Sequence, residues 1–322
     1  MQKTFTAHVE DRPGPGWLAR FRQGRDEAAR WYLGEGAPER PSAAECRAAL
    51  LRHMPELVPA YDDLCGMVGD DELAHRILSH YRPAPHRQGC SQAVWLGEGG
   101  PALIRNYDYP LSAITGRIEM TAWSGRRVIG MVQRPWGGCL DGMNEDGLVA
   151  SCTLGGIARR GEGFAIIQML RYVLETCGSV REGVAALSRL PAVQLHNVTL
   201  LDRSGDHATV FLGPRREPAV TRQRTCTNHQ ERVSSASRSA LRQRVLEEAL
   251  DDPATTLAAL AARFAEPPLH SRKLSFPTAY TALYRPDAGR VDYLWPGYRW
   301  SLGFDRFEEG AYTHDYGVLE PG

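Results

Sequence analysis

The stretch Tyr81-Arg-Pro-Ala-Pro-His-Arg-Gln-Gly89 breaks the chain into two textures, and no other feature of the sequence limits the fold as much. Pro83 and Pro85 lack the amide hydrogen that a helix needs, and Gly89 ends the stretch directly before Cys90. Upstream the pattern is mostly helical. After a short alternating segment (Phe5, Ala7, Val9), residues 14–32 carry Trp17, Leu18, Phe21 and Trp31 among many charges, as an amphipathic helix does. Ser42-Ala-Ala-Glu45 is a capping-box pattern that opens a second helix through Met54, and Asp70 or Asp71 caps a third through His80.

Downstream of Gly89 the sequence reads as short strands with glycine-marked turns: Ser91 to Leu96, Ala102 to Tyr107, Ile118 to Trp123, Arg127 to Val132 and Leu148 to Thr153. Residues 163–190 predict two helices, with Phe164, Ile167, Leu170, Val173 and Leu174 at helical spacing. A hairpin follows (Val198 to Asp202 and Ala208 to Leu212), then helices over 236–250 and 254–265. A last strand pair, Ala279 to Tyr284 and Arg290 to Trp295, turns at Pro286-Asp-Ala-Gly289. Antiparallel runs separated by helix pairs predict an α+β fold of four layers, two stacked antiparallel sheets with helices outside.

Composition removes several functions. The 322 residues carry 38 Lys+Arg against 38 Asp+Glu, so there is no electrostatic footprint for nucleic acid. Only Lys3 and Lys273 are lysine, an arginine bias that suggests a GC-rich bacterial source. No apolar run approaches the ~18 residues that span a bilayer, and the start lacks a signal-peptide core, so a cytoplasmic protein without membrane contact is expected. Seven cysteines without a C-x-x-C pair fit neither a disulfide framework nor a zinc site. P-loop, H-E-x-x-H and G-x-S-x-G motifs are absent, Gly97 and Gly99 lack a third glycine, and the ten histidines are scattered, so no cofactor and no metal are expected. Asn197-Val-Thr199 matches a glycosylation sequon but reads as strand.

Four segments remain that carry chemistry: Gly89-Cys90-Ser91, Arg105-Asn-Tyr-Asp-Tyr109, Thr227-Asn228-His229 and Ser234-Ser-Ala-Ser-Arg238. Together and in this order they resemble the N-terminal-nucleophile hydrolases of the isopenicillin N acyltransferase and choloylglycine hydrolase type, which include acid ceramidase. Tyr109 stands where that family has Trp, and Asn144-Glu-Asp-Gly-Leu148 is similar to its Asn-Glu-Lys-Gly-Leu turn with Asp for Lys. The resemblance runs from roughly residue 40 to 300. It implies a four-layer αββα sandwich, self-cleavage between Gly89 and Cys90, and a division into a helical segment 1–89 (a propeptide or small chain) and a catalytic domain 90–322. It further implies an enzyme acting on a linear amide through an acyl-Cys90 thioester. Asn228 and the backbone N–H of Leu154 would be oxyanion donors, and Arg238 would pair with Asp108 or support the cysteine loop.

The residues make chemical sense beside the resemblance. A thiol nucleophile needs a base, and a chain beginning at Cys90 brings its own α-amine, with a pKa of ~7.7–8.0. Asp108 is suited to hold that amine. Arg105, three residues earlier, points to the opposite face of an extended strand, so the reading requires a bend at Asn106 to Pro110 if both are to reach the cysteine. Arg105 would lower the thiol pKa or touch a substrate oxygen. Gly89 is expected to admit a strained backbone at the cleavage point, and Asn144 to form its turn through tolerance of left-handed geometry. Cys139 and Cys152 read as buried and inert. Trp295, Tyr298 and Trp300 either line an acyl pocket or pack the core end.

Two other readings stay open: an uncleaved, non-catalytic binding relative, and an internal-cysteine hydrolase with His86 or His229 as base. The partners expected are a small N-acyl amide, an amine acceptor if the reaction is acyl transfer, and the chain's own cleaved N-terminal piece. A homo-oligomer is compatible with the sequence.

Overall fold

The computed structural model describes residues 1–34, 40–86, 89–133, 137–156, 161–230 and 233–321. Arg87 and Gln88 of the proline-rich stretch lie outside the described residues. Before that stretch come β1 (Gln2–Glu10), α1 (Pro15–Leu33), α2 (Ala43–His53), α3 (Val58–Val68) and α4 (Glu72–Leu78). After it come β2 (Gly89–Trp95), β3 (Ala102–Asp108), β4 (Arg117–Thr121), β5 (Val128–Gln133), β6 (Gly138–Asn144) and β7 (Val149–Leu154). The helices α5 (Ile166–Thr176) and α6 (Val180–Arg189) lead to β8 (His196–Leu201), β9 (His207–Leu212), β10 (Ala219–Thr221) and β11 (Thr225–Cys226). Then follow α7 (Arg238–Asp251), α8 (Leu257–Arg263), β12 (Thr278–Arg285), β13 (Arg290–Trp295), β14 (Tyr298–Gly303) and β15 (Gly310–Asp315).

The helix starts follow from their caps. Ser42 and Glu45 form the reciprocal capping box of α2, and Asp71 accepts the Ala74 N–H at 3.0 Å to open α4. In α3, unread in the sequence, Pro59 occupies the first turn, where a missing amide hydrogen costs nothing. The strand β6, Gly-Cys-Leu-Asp-Gly-Met-Asn, was hidden by its two glycines. A Cβ on Gly138 would stand 2.8 Å from Ile167 and one on Gly142 2.8 Å from Leu174, so these glycines let α5 lie directly on the strand.

Among the described residues the larger sheet has the order β10-β9-β8-β7-β6-β5-β4-β1-β15, and the smaller β11-β2-β3-β12-β13-β14. Both are antiparallel except where β1 runs parallel to β4, from Thr6 opposite Arg117 to Glu10 opposite Thr121. The sheets face each other across one apolar core that includes Val94, Leu103, Ile129, Met131 and Val149. The helices α5 and α6 cover the outer face of the larger sheet. On the outer face of the smaller sheet, Leu246 of α7 and Leu260 of α8 meet Ala93, Trp95 and Ile104. The result is the four-layer sandwich that the strand and helix runs predict.

The segment before the break is not a separate layer. β1 is held on both sides, by β4 and by β15, and Phe5 packs its ring 4.7 Å from that of Trp295. Trp17, Phe21, Leu50 and Leu64 of the N-terminal helices belong to the same core as the sheets. No helix of the described residues is long and apolar enough to cross a membrane.

Candidate active site

Alternation along the β2–β3 hairpin sorts the site residues onto two faces. Cys90 opposes Tyr107, Gln92 opposes Arg105, and Gly89 opposes Asp108. Cys90, Gln92, Arg105 and Tyr107 therefore face the other sheet, while Gly89, Ser91, Asn106 and Asp108 face α7 and α8. No bend is needed at Asn106 to Pro110: β3 runs on through Asp108, and the register irregularity sits on the neighbouring strand, between Thr278 and Tyr280 of β12. The two charged groups address different parts of Cys90 because they lie on different faces.

Arg105 addresses the sulfur. Its Nη2 donates to Cys90 Sγ at 3.1 Å, and its Nη1 donates to Asp141 Oδ2 at 2.7 Å and to the Leu140 carbonyl at 3.0 Å. Burial pushes the Cys90 thiol up to about 12, with Arg105 pulling the other way. Asp108 addresses the backbone end. A Cβ on Gly89 would stand 3.0 Å from Asp108 Cβ and 3.2 Å from its Oδ2, while Thr278 donates its hydroxyl to Oδ1 at 2.7 Å. Burial raises the Asp108 carboxyl, opposed by the Arg242 guanidinium and the Thr278 hydroxyl.

This contact, rather than strain, explains Gly89. It does not have a positive φ, so left-handed geometry is not what selects glycine here. Gly89→Ala is expected to push Asp108 aside by a few tenths of an ångström; if the chain is cut before Cys90, the cut is expected to slow about tenfold, read as the half-time of chain scission on denaturing gels.

Asn228 follows β11 and is held by its N–H donating to Ser239 Oγ at 2.8 Å. Its Oδ1 accepts the Cys90 N–H at 2.9 Å, and its Nδ2 donates to the Leu154 carbonyl at 3.2 Å. The Asn228 side chain and the end of β7 thus meet beside Cys90, with the Leu154 carbonyl rather than its N–H engaged by Asn228.

The arginine within ion-pair distance of Asp108 is Arg242, while Arg238 acts on its carboxyl only as a weaker, more distant lowering charge. Arg238 begins α7 just after its cap, Ser237, and is exposed. One turn later Arg242 is buried, and its Nη1 donates to the Cys90 carbonyl at 2.8 Å and to Ser91 Oγ at 2.9 Å. Its Nη2 donates to Asn228 Oδ1 at 2.7 Å, and its Nη1 lies 3.5 Å from Asp108 Oδ2. Leu246, four residues on, is buried on the same helix face, and that spacing was a readable sign that Arg242 points inward. Asp141, Ser239 and Thr278 were also missed.

Other expectations resolve as follows. Asn144 serves its turn by side-chain bonds, not by a left-handed backbone: Oδ1 accepts the Leu148 N–H at 2.9 Å and Nδ2 donates to the carbonyls of Leu174 and Cys177, while Gly147 supplies the positive φ of 84°. Cys139 and Cys152 are buried. His229 Nδ1 lies 2.8 Å from Ser239 Oγ, and the His86 ring lies 5.7 Å from that of His196. Trp295 and Tyr298 line a cleft of about 480 Å³ with alanines of α8 and with Thr278; Trp300 packs against the core.

The stretch before Gly89 is tied to the sandwich. Arg82 donates its N–H to the Gly163 carbonyl at 2.8 Å, and Gln194 clamps the His86 backbone, accepting its N–H at 3.2 Å and donating to its carbonyl at 2.6 Å.

Solved structures with this arrangement of layers include a mutant conjugated bile acid hydrolase from Clostridium perfringens, at a TM-score of 0.52 and 13% identity, covering 72% of this chain and 99% of that one. An N-acylethanolamine-hydrolyzing acid amidase ortholog from Caenorhabditis elegans aligns at a TM-score of 0.50 and 13% identity, over 70% of this chain and 100% of that one. Both likenesses speak for the fold, the N-terminal-nucleophile hydrolase sandwich. No curated protein sequence matches this chain. Residues 95–300 match the family described as acyl-coenzyme A:6-aminopenicillanic acid acyl-transferase. That span is well over half of the chain and takes in Arg105, Asp108, Asn228 and Arg242, and the chain belongs to this family.

Proposed function

We propose that the chain cuts itself between Gly89 and Cys90 and then acts as a cysteine amidohydrolase or acyltransferase on a linear N-acyl amide. The observation that carries this reading is the way Cys90 is held at each of its polar atoms: sulfur on Arg105, amide nitrogen on Asn228, carbonyl on Arg242. The amide nitrogen is the atom that scission turns into an amine. It already has an acceptor waiting in Asn228, with the Asp108 carboxyl beside Gly89.

In scission the Cys90 sulfur adds to the Gly89 carbonyl carbon, the C–N bond breaks, and the thiol proton goes to the departing nitrogen. Water then cleaves the thioester, leaving a Gly89 carboxylate and a free Cys90. In turnover the new α-amine takes the thiol proton and the thiolate adds to the substrate amide. Charge growing on the carbonyl oxygen is met by Asn228 Nδ2 and a main-chain N–H near Leu154, and the α-ammonium protonates the leaving amine. Water or a second amine then releases the acyl group. The matching family transfers acyl groups, and the two structural neighbours are named for bile acid conjugates and N-acylethanolamines; all three support an acyl amide as substrate class. The cleft at Trp295 and Tyr298 reaches Thr278, which holds Asp108, and its size suits the apolar part of such a substrate.

The test is intact mass under denaturing conditions, together with amine release from a panel of N-acyl amides. Pieces of roughly 10 and 26 kDa are expected, dividing 35.7 kDa in proportion to 89 and 233 residues. Because β1 lies between β4 and β15, the two pieces are expected to elute together in native buffer. A single unbroken chain with no amine release sinks the proposal.

A further inference from the structure

Between the sheets, behind Arg105, lies a buried polar cluster that packing alone does not require. Asp141 of β6 is fully buried and its carboxylate accepts three hydrogen bonds: Oδ2 accepts from Arg105 Nη1 at 2.7 Å and from the Tyr280 hydroxyl at 2.6 Å, and Oδ1 accepts from the Tyr284 hydroxyl at 2.5 Å. Tyr284 is in turn 3.1 Å from the Tyr293 hydroxyl. A buried ion pair seldom stabilises a fold more than apolar side chains of the same volume, and buried Met131 stands opposite Asp141 across the β5–β6 ladder. The other end of the same guanidinium is on the Cys90 sulfur.

We propose that Asp141, supported by Tyr280 and Tyr284, is the positioning residue of the site: it fixes the direction of the Arg105 guanidinium and sets how much of its positive field reaches the Cys90 sulfur. This rests on the reading of Cys90 as nucleophile. The guanidinium has two working edges, and the Asp141 bond at Nη1 leaves Nη2 for sulfur. The carboxylate also opposes the arginine's charge, and the two hydroxyl dipoles, hydrogen ends toward the carboxylate, moderate that opposition. The titratable and charged groups near Cys90 and Arg105 are Tyr107 of β3, Cys152 of β7, Asp141 of β6, Tyr280 and Tyr284 of β12 and Tyr293 of β13 between the sheets, with Asp108 of β3 and Arg242 of α7 acting from the other face.

The device has a signed signature. Asp141→Asn keeps the shape: its amide oxygen can accept from Arg105 and Tyr280, and its NH₂ can donate to the Tyr284 hydroxyl. It removes the negative charge, so the unopposed Arg105 lets Cys90 ionise at lower pH. Tyr284→Phe removes a moderating dipole, so the carboxylate opposes Arg105 more fully and Cys90 ionises at higher pH. The experiment measures iodoacetamide alkylation of Cys90 against pH, followed by mass spectrometry on the peptide that carries it, in wild type and both variants. The midpoint is expected to fall by about one unit in Asp141→Asn and to rise by about half a unit in Tyr284→Phe. A role limited to packing would lower the rate in both without moving the midpoints apart. Midpoints that stay put or shift in the same direction overturn the proposal. Should Asp141→Asn fail to fold, Tyr280→Phe and Tyr284→Phe decide it, since both are expected to shift upward and an unmoved midpoint in both overturns it. Failure of the underlying reading shows separately, as wild type without chain scission or amide turnover, and the midpoints still report on Asp141.

Discussion

Replacing Cys90 by alanine is expected to leave one chain of 35.7 kDa and no amide turnover, with the fold intact. The variant removes only a sulfur atom from a fully buried position, and the bonds from Asn228 to the Cys90 amide and from Arg242 to its carbonyl are backbone bonds that alanine keeps. Unaltered circular dichroism beside an uncut mass would therefore separate chemistry from folding. Cys90→Ser is the sharper probe. A hydroxyl fits the place of the thiol but is a far weaker nucleophile at neutral pH, so scission is expected to slow by at least about a hundredfold. A scission rate in Cys90→Ala equal to that of wild type would assign the cut to a contaminating protease and remove the cysteine from the mechanism.

Arg242→Met is expected to reduce turnover by about two orders of magnitude, whereas Arg238→Ala stays within about threefold of wild type. Both substitutions remove one arginine from the same helix, so the change in net charge is equal and only position differs. Arg242 joins the Cys90 carbonyl, Ser91, Asn228 and Asp108, and methionine fills its space while making none of those bonds. Asn228 Oδ1 would then keep only the Cys90 N–H, and Asp108 would lose its nearest positive charge. The measurement is kcat and KM for whichever amide the panel identifies, with thermal unfolding of each variant alongside. Equal losses at the two arginines would mean that general charge, and not this contact, supports the site.

Much of this site was legible from residue type and order alone. Cys90 after a helix-breaking stretch, Arg105 and Asp108 on the next strand, and Asn228 after a short strand all converge in space. Local sequence could say this because a hairpin places its two strands side by side whatever else the chain does. Two inferences failed for reasons of geometry. The bend expected between Arg105 and Asp108 supposes that both must share one face to reach the cysteine, but a straight strand serves because one reaches the sulfur and the other the backbone end. Arg238 was chosen by its place in a serine-rich motif, yet the helix that starts there turns its inward face toward the site one turn later, at Arg242.

What the sequence determined by itself was the set of elements and the candidate site's central cysteine, Cys90. Caps, proline breaks and apolar periodicity are short-range, and each acts within one helix or hairpin. Only the tertiary structure decided that β1 threads between β4 and β15, so that the segment before the proline-rich break is part of the larger sheet. It also decided that Asp141, on a strand whose glycines disguise it, stands 36 residues downstream as the counter-charge of Arg105. Such pairings depend on which surfaces meet when the two sheets close on each other. A buried charge finds its partner across that closure rather than along the chain.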